Sequence, residues 1–448
     1  MKDMQDLTTG SVSQKLLGFA LPLLLANLLQ SFYSIVDLLV VGQIVGNVGL
    51  AAISNASMLS FLINAVCTGV TIGGTVLAAQ YKGAQDEQGQ RETSTALGVL
   101  TLLSAIIVTA LGLWGYRPLF ALLEVPAAAL PDACGYMRIV CWGTIFVFGY
   151  NAVCAILKGL GDAKQPLYFV LAAAIVNVGL DLLLVGPLGL GTRGAAYATV
   201  LAQGAAFLAA FIYYKRMTAA RLTPQKFALK ADKLLALLRI GLPTALQMAV
   251  VNLSYLCLTG MLNHFGIAVT AAAGIGLKVN TMAGMPCWAI GQAVTAMAGQ
   301  NNGARLVDRV RSVTQIGLRL NLVVTLCVII SVQLLAEPIL LLFDPAHTVV
   351  TLEGIRYLRL CCGLNSLVYA AMYTFDSFAI SVGAAYIALL NALLDAVIIR
   401  LPLSWLLAFT FDWGAAGIYV GQAFSPLVPA LIGAYFFHSR RWIADKSH

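Results

Sequence analysis

Four polar side chains lie within long apolar runs of the sequence: Asp37, Asn177, Asp181 and Thr199. A carboxylate in an apolar run is costly to ionise unless a partner, a cation or a water-filled cavity compensates the charge. Asn177 and Asp181 are four residues apart, so a helix places them on one face, about 6 Å apart along its axis. Their oxygens suit a small hard cation, and two close carboxylates can instead share a proton.

The run that carries Asp37 extends from Lys15 to Gln43 and is almost continuously apolar. At about 1.5 Å per residue, a helix of this length crosses a hydrocarbon core of about 30 Å. Pro22 removes a backbone donor and clashes with the preceding turn, so we expect a kink there. The sequence therefore predicts a kinked membrane-spanning helix with a carboxylate near its outer end.

The four side chains are predicted to lie at a similar depth in the membrane. Asp37 and Asp181 each lie five residues before a glycine that ends an outward-running span, and Thr199 lies six residues into the span that returns inward. All of them therefore fall in the outer part of the membrane. Headgroup contact is the alternative role for Asp37, and hydrogen bonding between helices is the alternative for Asn177 and Thr199.

The composition predicts an all-α integral membrane protein. The 448 residues are 60% hydrophobic and 10% charged, with a mean hydropathy of +0.87. No polar stretch is long enough for a soluble domain. The apolar runs predict twelve membrane-spanning helices: 15–41, 49–80, 92–114, 133–156, 166–186, 193–214, 234–260, 268–299, 312–335, 353–378, 383–408 and 414–437.

The basic residues predict the orientation. Most of the 27 Lys and Arg residues fall in segments that lie on one side of the membrane if both termini are cytoplasmic. This asymmetry predicts a multi-pass protein of a bacterial cell membrane with both termini inside. The net charge of +8 is dispersed over short loops rather than gathered in a patch, so we expect no nucleic-acid partner.

Internal repeats divide the chain into two halves. Pro22 recurs as Pro243, Gln80 as Gln300, and the Asn177–Asp181 pair as Asn391 and Asp395. The matches keep their order, which predicts two six-helix lobes related by a pseudo-two-fold axis along the membrane normal. Transporters built this way bind substrate between their halves. The predicted boundaries are 1–214 for the first lobe, 215–233 for a cytoplasmic linker, 234–437 for the second lobe and 438–448 for a cytoplasmic tail.

Several features of the chain resemble the multidrug and toxic compound extrusion (MATE) transporters. They are the helix with Pro22 and Asp37, the sequences TVLAAQYKGA at 75–84 and TAMAGQNNGA at 295–304, the sequence LKGLGDAKQP at 157–166, and the NxxxD pair. That resemblance implies two lobes around a central cavity and efflux of organic cations driven by Na+ or H+ entry. It also implies a cation site, with Na+ as a candidate ion. The matching positions are Asp37, Asn177, Asp181 and Thr199, with a looser match at Asn151.

The second half departs from this pattern. Leu258 stands opposite Asp37 and Tyr419 opposite Thr199, so no equivalent carboxylate cluster is predicted. Asp395 has Arg400 five residues on, which indicates either an ion pair that fixes helix packing or a mechanistic role. Thioether and aromatic side chains accept varied apolar shapes. The candidate cavity residues are Tyr33, Tyr255, Met261, Met282, Met285 and Lys278, the last of which either pairs with a carboxylate or repels cations.

No motif indicates an enzyme or a cofactor. The four histidines form no cluster, and no lysine or serine follows Gly159 and Gly161 at the spacing of a phosphate-binding loop. The resemblance to MATE transporters implies a cation-coupled antiporter that exports organic cations and drugs, and we expect it to be a monomer with membrane lipid around it. A lipid-linked saccharide flippase and a non-transporting receptor are the alternatives. A flippase needs a strongly basic cavity, and only Lys278, Arg319 and Arg400 lie within spans.

Overall fold

The computed structural model describes residues 5–122, 125–219, 230–344 and 348–444. Most of the predicted linker, 220–229, and the end of the predicted tail, 445–448, lie outside the described residues. Helices dominate these ranges, and the described residues contain no strand. The fold is thus the all-α membrane architecture that the composition predicts.

The first half forms six long helices. They are α1 (Val12–Ile44), α2 (Asn47–Gly83), α3 (Glu87–Leu122), α4 (Leu130–Gly159), α5 (Lys164–Val185) and α6 (Gly191–Ala219). The second half begins with α7 (Ala231–Asn263), α8 (Ile267–Gly303) and α9 (Val307–Leu341). It continues with α10 (Val349–Cys361), α11 (Asn365–Ser381), α12 (Ala385–Ala392), α13 (Leu401–Trp405), α14 (Ala415–Phe424), α15 (Leu427–His438) and α16 (Arg441–Ala444).

Eleven helical stretches among the described residues are long and apolar enough to cross a membrane. The predicted tenth span, 353–378, differs from them because the chain breaks between α10 and α11. Gln333 of α9 donates its side-chain amide to the carbonyls of Leu358, at 3.2 Å, and Cys362, at 3.0 Å. A side chain from another helix therefore satisfies backbone acceptors at the break, which an apolar run cannot reveal.

The predicted eleventh span is continuous but irregular. One π-helical segment, Leu393–Arg400, lies between α12 and α13. A second one, Leu406–Thr410, directly follows α13. Pro402 lies between the two segments and lacks a backbone N–H, so it cannot complete a regular hydrogen-bond ladder. π-helical turns are rare and concentrate at functional sites.

The described residues form two compact units, here called the N-unit and the C-unit. The N-unit contains Leu21–Ala245, and the C-unit contains Leu7–Ala20 with the chain from Leu246 onward. These limits fall within α1 and α7, next to Pro22 and Pro243. The predicted lobe boundaries, and the symmetry axis relating the lobes, stay predictions.

Small residues allow close helix packing inside each unit. In the N-unit, a methyl group at Gly143 of α4 would lie 2.3 Å from Val200 of α6. In the C-unit, a methyl group at Gly291 of α8 would lie 2.3 Å from the ring of Tyr373 on α11. Large apolar side chains such as Trp114, which is 83% exposed, lie on the outer faces. Such faces suit contact with lipid, because hydrocarbon solvates them without cost.

Candidate functional site

Three helices of the N-unit carry the four predicted oxygen ligands. Asp37 lies on α1, Asn177 and Asp181 lie one turn apart on the regular helix α5, and Thr199 lies on α6. Asp181 is completely buried, Asn177 is 2% exposed and Asp37 is 9% exposed. The structure therefore brings together, inside one unit, residues that lie up to 162 positions apart in the chain.

The hydrogen bonds of this cluster are incomplete. Thr199 Oγ1 donates to Asp37 Oδ2 at 3.4 Å and to the carbonyl of Ala195 at 3.0 Å. Asp181 and Asn177 also neighbour the Asp37 carboxylate. Asp37 Oδ1, both Asp181 oxygens and Asn177 Oδ1 are buried without a partner. Leaving such atoms unsatisfied is expensive, so the oxygen set fits a bound small cation or a shared proton.

Two aromatic residues and an amide extend the cluster. Tyr136 of α4 is 8% exposed and lies near Asp37, Asp181 and Thr199. Gln203 of α6 donates to the Tyr33 hydroxyl at 3.4 Å, while its own Oε1 is buried without a partner. Tyr136 and Gln203 are not among the residues predicted from the sequence, which assigns Tyr33 to a substrate cavity.

A spacing of four residues along a helix could have identified two of these three residues from the sequence. Tyr33 is four residues before Asp37, and Gln203 is four residues after Thr199, so each shares a helix face with a predicted ligand. Tyr136 has no such relation to a predicted ligand on its own helix. Only the packing of α4 against the other helices places it in the cluster.

The contacts in the structure do not test the predicted roles of Asn151 and Pro22. Asn151 of α4 donates its amide to the carbonyl of Val147, at 2.8 Å, on its own helix. Its place in the cation site stays a prediction. Helix α1 continues through Pro22, and the kink there likewise stays a prediction.

Two of the predicted cavity residues of the C-unit line different cavities. Met261 lines a cavity of about 620 Å³ with Ile398 and Trp405. Met282 lines a separate cavity of about 530 Å³ between α8 and α9. Met285 is buried, Lys278 is exposed, and Tyr255 lies below the Arg400 guanidinium. A common substrate-binding role for these residues stays a prediction.

The predicted pair of Asp395 and Arg400 forms a buried ion pair in the C-unit. Arg400 is 2% exposed and Asp395 is 1% exposed. Asp376 of α11, which the sequence analysis missed, accepts a hydrogen bond of 2.6 Å from the Asn391 amide. This C-unit cluster thus contains two carboxylates, an amide and a guanidinium.

Comparisons with known proteins agree on one family. The MatE family model matches residues 22–183 and 243–406, one match in each half. The chain is 32% identical over 351 residues to "Probable multidrug resistance protein YoeA" of Bacillus subtilis, covering 76% of this chain and 75% of that protein. It is 31% identical to "Probable multidrug resistance protein YpnP" of the same organism, covering 66% and 67% respectively.

A solved structure agrees at the level of the fold. It is a multidrug resistance transporter of the MATE family in an outward-facing conformation, and it aligns with a TM-score of 0.93. The alignment covers 100% of this chain and 99% of that one at 21% identity. At this identity the likeness supports the two-lobe membrane fold.

Proposed function

The chain belongs to the MatE family of multidrug and toxic compound extrusion transporters, and on that premise we propose that it is a cation-coupled antiporter. It exports organic cations and drugs across the cell membrane while Na+ or H+ moves inward. The observation that carries this proposal is the set of buried, unpartnered oxygens of Asp37, Asn177 and Asp181. A purely structural polar cluster would satisfy its own hydrogen bonds.

Coupling follows from where the oxygens lie. Asp37 is on α1, whereas Asn177 and Asp181 are on α5, so any movement of α1 past α5 changes the distance between the carboxylates. A cation or proton that bridges them binds one arrangement better than another and shifts the population between the two. By linkage, a substrate that favours the opposite arrangement must weaken cation binding. These are the requirements of antiport.

Either coupling ion is compatible with this chemistry. Two carboxylates, an amide oxygen and a hydroxyl can surround Na+, and two adjacent carboxylates can share one proton. Both names of the Bacillus subtilis relatives refer to multidrug resistance, which supports drugs as the exported class. We propose further that the protein is a monomer with both termini in the cytoplasm, as the distribution of Lys and Arg indicates.

Transport in proteoliposomes tests the proposal. The purified protein is reconstituted with a fluorescent organic cation, and sodium and proton gradients are imposed separately. We expect one of the two gradients to drive uphill movement of the dye in the wild type and neither to do so in Asp37→Asn. Asp412→Asn, an exposed aspartate in a loop of the C-unit, is the matched control and should keep full activity.

The same preparation distinguishes the flippase alternative. If no gradient moves any organic cation, yet a lipid-linked saccharide crosses the bilayer only when the protein is present, the antiporter proposal is wrong. The basic residues expected of a flippase cavity are scarce: three lie within the predicted spans, Lys278, Arg319 and Arg400, and Arg400 is already paired with Asp395. The flippase is therefore the weaker candidate.

A further inference from the structure

The C-unit contains the repeat counterpart of the N-unit cation cluster. Asn177 and Asp181 recur as Asn391 and Asp395 at one constant offset. Five residues after each aspartate, the chain reaches Gly186, which directly follows α5, in the first repeat and Arg400 in the second. The two repeats thus share an amide and a carboxylate one turn apart and differ by a cationic side chain five residues further on.

A change in helix type places that cation. In an α-helix, residues three and four apart are neighbours, and residues five apart lie on different faces. In the C-unit, Asp395 and Arg400 both lie in the π-helical segment Leu393–Arg400, where hydrogen bonds join residues five apart. The wider turn brings Arg400 back over Asp395. The equivalent helix α5 is regular, and the glycine at its end has no side chain to return.

The guanidinium of Arg400 is held like a bound ion. Besides Asp395, it donates from Nη1 to Ser254 Oγ at 3.0 Å and from Nε to Ser425 Oγ at 3.3 Å. It lies 4.8 Å from the centre of the Tyr255 ring, an attractive cation–π arrangement. Carboxylate, hydroxyl and aromatic groups from three segments of the C-unit therefore surround one positive charge.

Further oxygens at this place remain available to a cation. Asp395 Oδ1 and Asn391 Oδ1 are buried and have no partner. Asn391 is held by its amide, which donates to Asp376 at 2.6 Å, and Asp376 is close enough to Asp395 for their charges to interact. The same classes of atom, a carboxylate oxygen and an amide oxygen, are unpartnered in the N-unit cluster.

We propose that Asp395 and Asn391, with Asp376 holding the Asn391 amide, form a second monovalent-cation site whose Asp395 carboxylate the protein neutralises with its own Arg400 guanidinium. The tethered cation cannot leave, so the C-unit exchanges no ion. In the context of the proposed antiport, this confines ion coupling to the N-unit. Removing the guanidinium should leave a site that binds and releases a free monovalent cation.

Sodium binding to purified protein tests this proposal without any transport step. The background is Asp181→Asn, which disables the N-unit cluster, and radioactive Na+ is the probe. We expect the background protein to bind no Na+ and the Asp181→Asn/Arg400→Gln protein to bind one Na+ per chain. Adding Asp395→Asn should abolish that binding. Arg319→Gln, which removes an exposed arginine from α9, is the matched control and should create no site.

The variants also separate a resident cation from an ordinary ion pair. In the same Asp181→Asn background, in which the N-unit cluster is disabled, Arg400→Lys keeps a tethered charge, so its melting temperature should not depend on Na+. Arg400→Gln should unfold at a higher temperature in sodium chloride than in N-methylglucamine chloride, and should be recovered better in sodium during purification.

If Asp181→Asn/Arg400→Gln binds no Na+, or is recovered equally poorly in both salts while Asp181→Asn/Arg400→Lys is recovered in both, Arg400 only fixes helix packing and the proposal is wrong. The result does not depend on whether the wild type transports drugs. The failure of this proposal is therefore distinguishable from failure of the antiporter proposal.

Discussion

The N-unit and the C-unit place the same amide and carboxylate on corresponding helices, yet the two clusters are chemically different. Asn177 and Asp181 face a second carboxylate, Asp37, and leave several oxygens unpartnered. Asp395 instead faces a guanidinium from its own helix. Two repeats can therefore share an amide and a carboxylate and still differ in counter-charge, because in the C-unit one π-helical segment and one arginine supply it internally.

The largest expected contrast comes from neutralising one aspartate in each unit. Asp181→Asn should abolish gradient-driven transport without loss of stability, because it removes both the charge that binds the cation and the cost of burying that charge. Asp395→Asn should instead cost about 3–5 kcal/mol of stability, since it leaves the buried Arg400 charge without a partner. Transport assays and thermal unfolding of the two variants measure the contrast.

A double variant is the control for the C-unit result. Asp395→Asn/Arg400→Met removes both charges, so it should recover most of the stability lost in Asp395→Asn. If the single and double variants are equally unstable, the ion pair is not what Asp395 contributes. Loss of stability in Asp181→Asn would likewise contradict the distinction between the units.

The next largest effect is expected at the proline of α1. Pro22→Ala restores a backbone donor and is expected to straighten the helix that carries Asp37. Transport should slow more than substrate binding weakens, because the change acts on switching rather than on the cavity. Parallel measurement of dye affinity and of initial transport rate tests this, and equal losses in both would make Pro22 a packing residue.

A smaller effect is expected at Tyr136, which lies near both carboxylates of the N-unit. Tyr136→Phe removes one hydroxyl, and a single hydrogen bond contributes about 0.5–1.5 kcal/mol. The affinity for the coupling ion should therefore fall by roughly two- to tenfold. Tyr116→Phe is the matched control, because Tyr116 is also buried in the N-unit but packs against Phe120. Similar losses in both variants would exclude a specific role for Tyr136.

The smallest effect is expected where polar contacts hold the chain segments that precede α1 and α7. In the C-unit, Arg309 donates to the carbonyls of Thr9, at 2.5 Å, and Gly10, at 2.9 Å. In the N-unit, the Lys230 ammonium lies 2.6 Å from Glu92, which raises the pKa of Lys230. A raised lysine pKa stabilises the fold below the ordinary value of about 10.4, and the contribution disappears as the pH rises through the folded-state value.

Thermal unfolding compares the two contacts. Lys230→Met should change the melting temperature very little at neutral pH, because solvent screens an exposed pair, and the difference from wild type should vanish in strong alkali. Arg309→Met should cost more, since it removes charge-assisted bonds to two carbonyls. A larger loss in Lys230→Met than in Arg309→Met would reverse the ranking of the two contacts.

The amino-acid sequence alone predicts most of the helical membrane architecture and the four side chains that the structure brings together in the N-unit. Long apolar runs predict the spans, because hydrocarbon admits only helices that satisfy their own backbone. Four-residue spacing places Asn177 and Asp181 on one face, since that relation is local to a helix. The internal repeat identified the two halves, and the resemblance to MATE transporters agrees with the family match.

Contacts between distant segments decided the rest. The break between α10 and α11 involves Gln333 of α9, so hydropathy along the tenth span could not reveal it. Tyr136 and Asp376 join their clusters only because α4 and α11 pack beside them. The return of Arg400 over Asp395 needs a π-helical segment, which periodicity rules for α-helices do not anticipate. Side chains acquire these roles from neighbours that are remote in the chain or from an irregular turn, and neither is encoded in a short stretch of sequence.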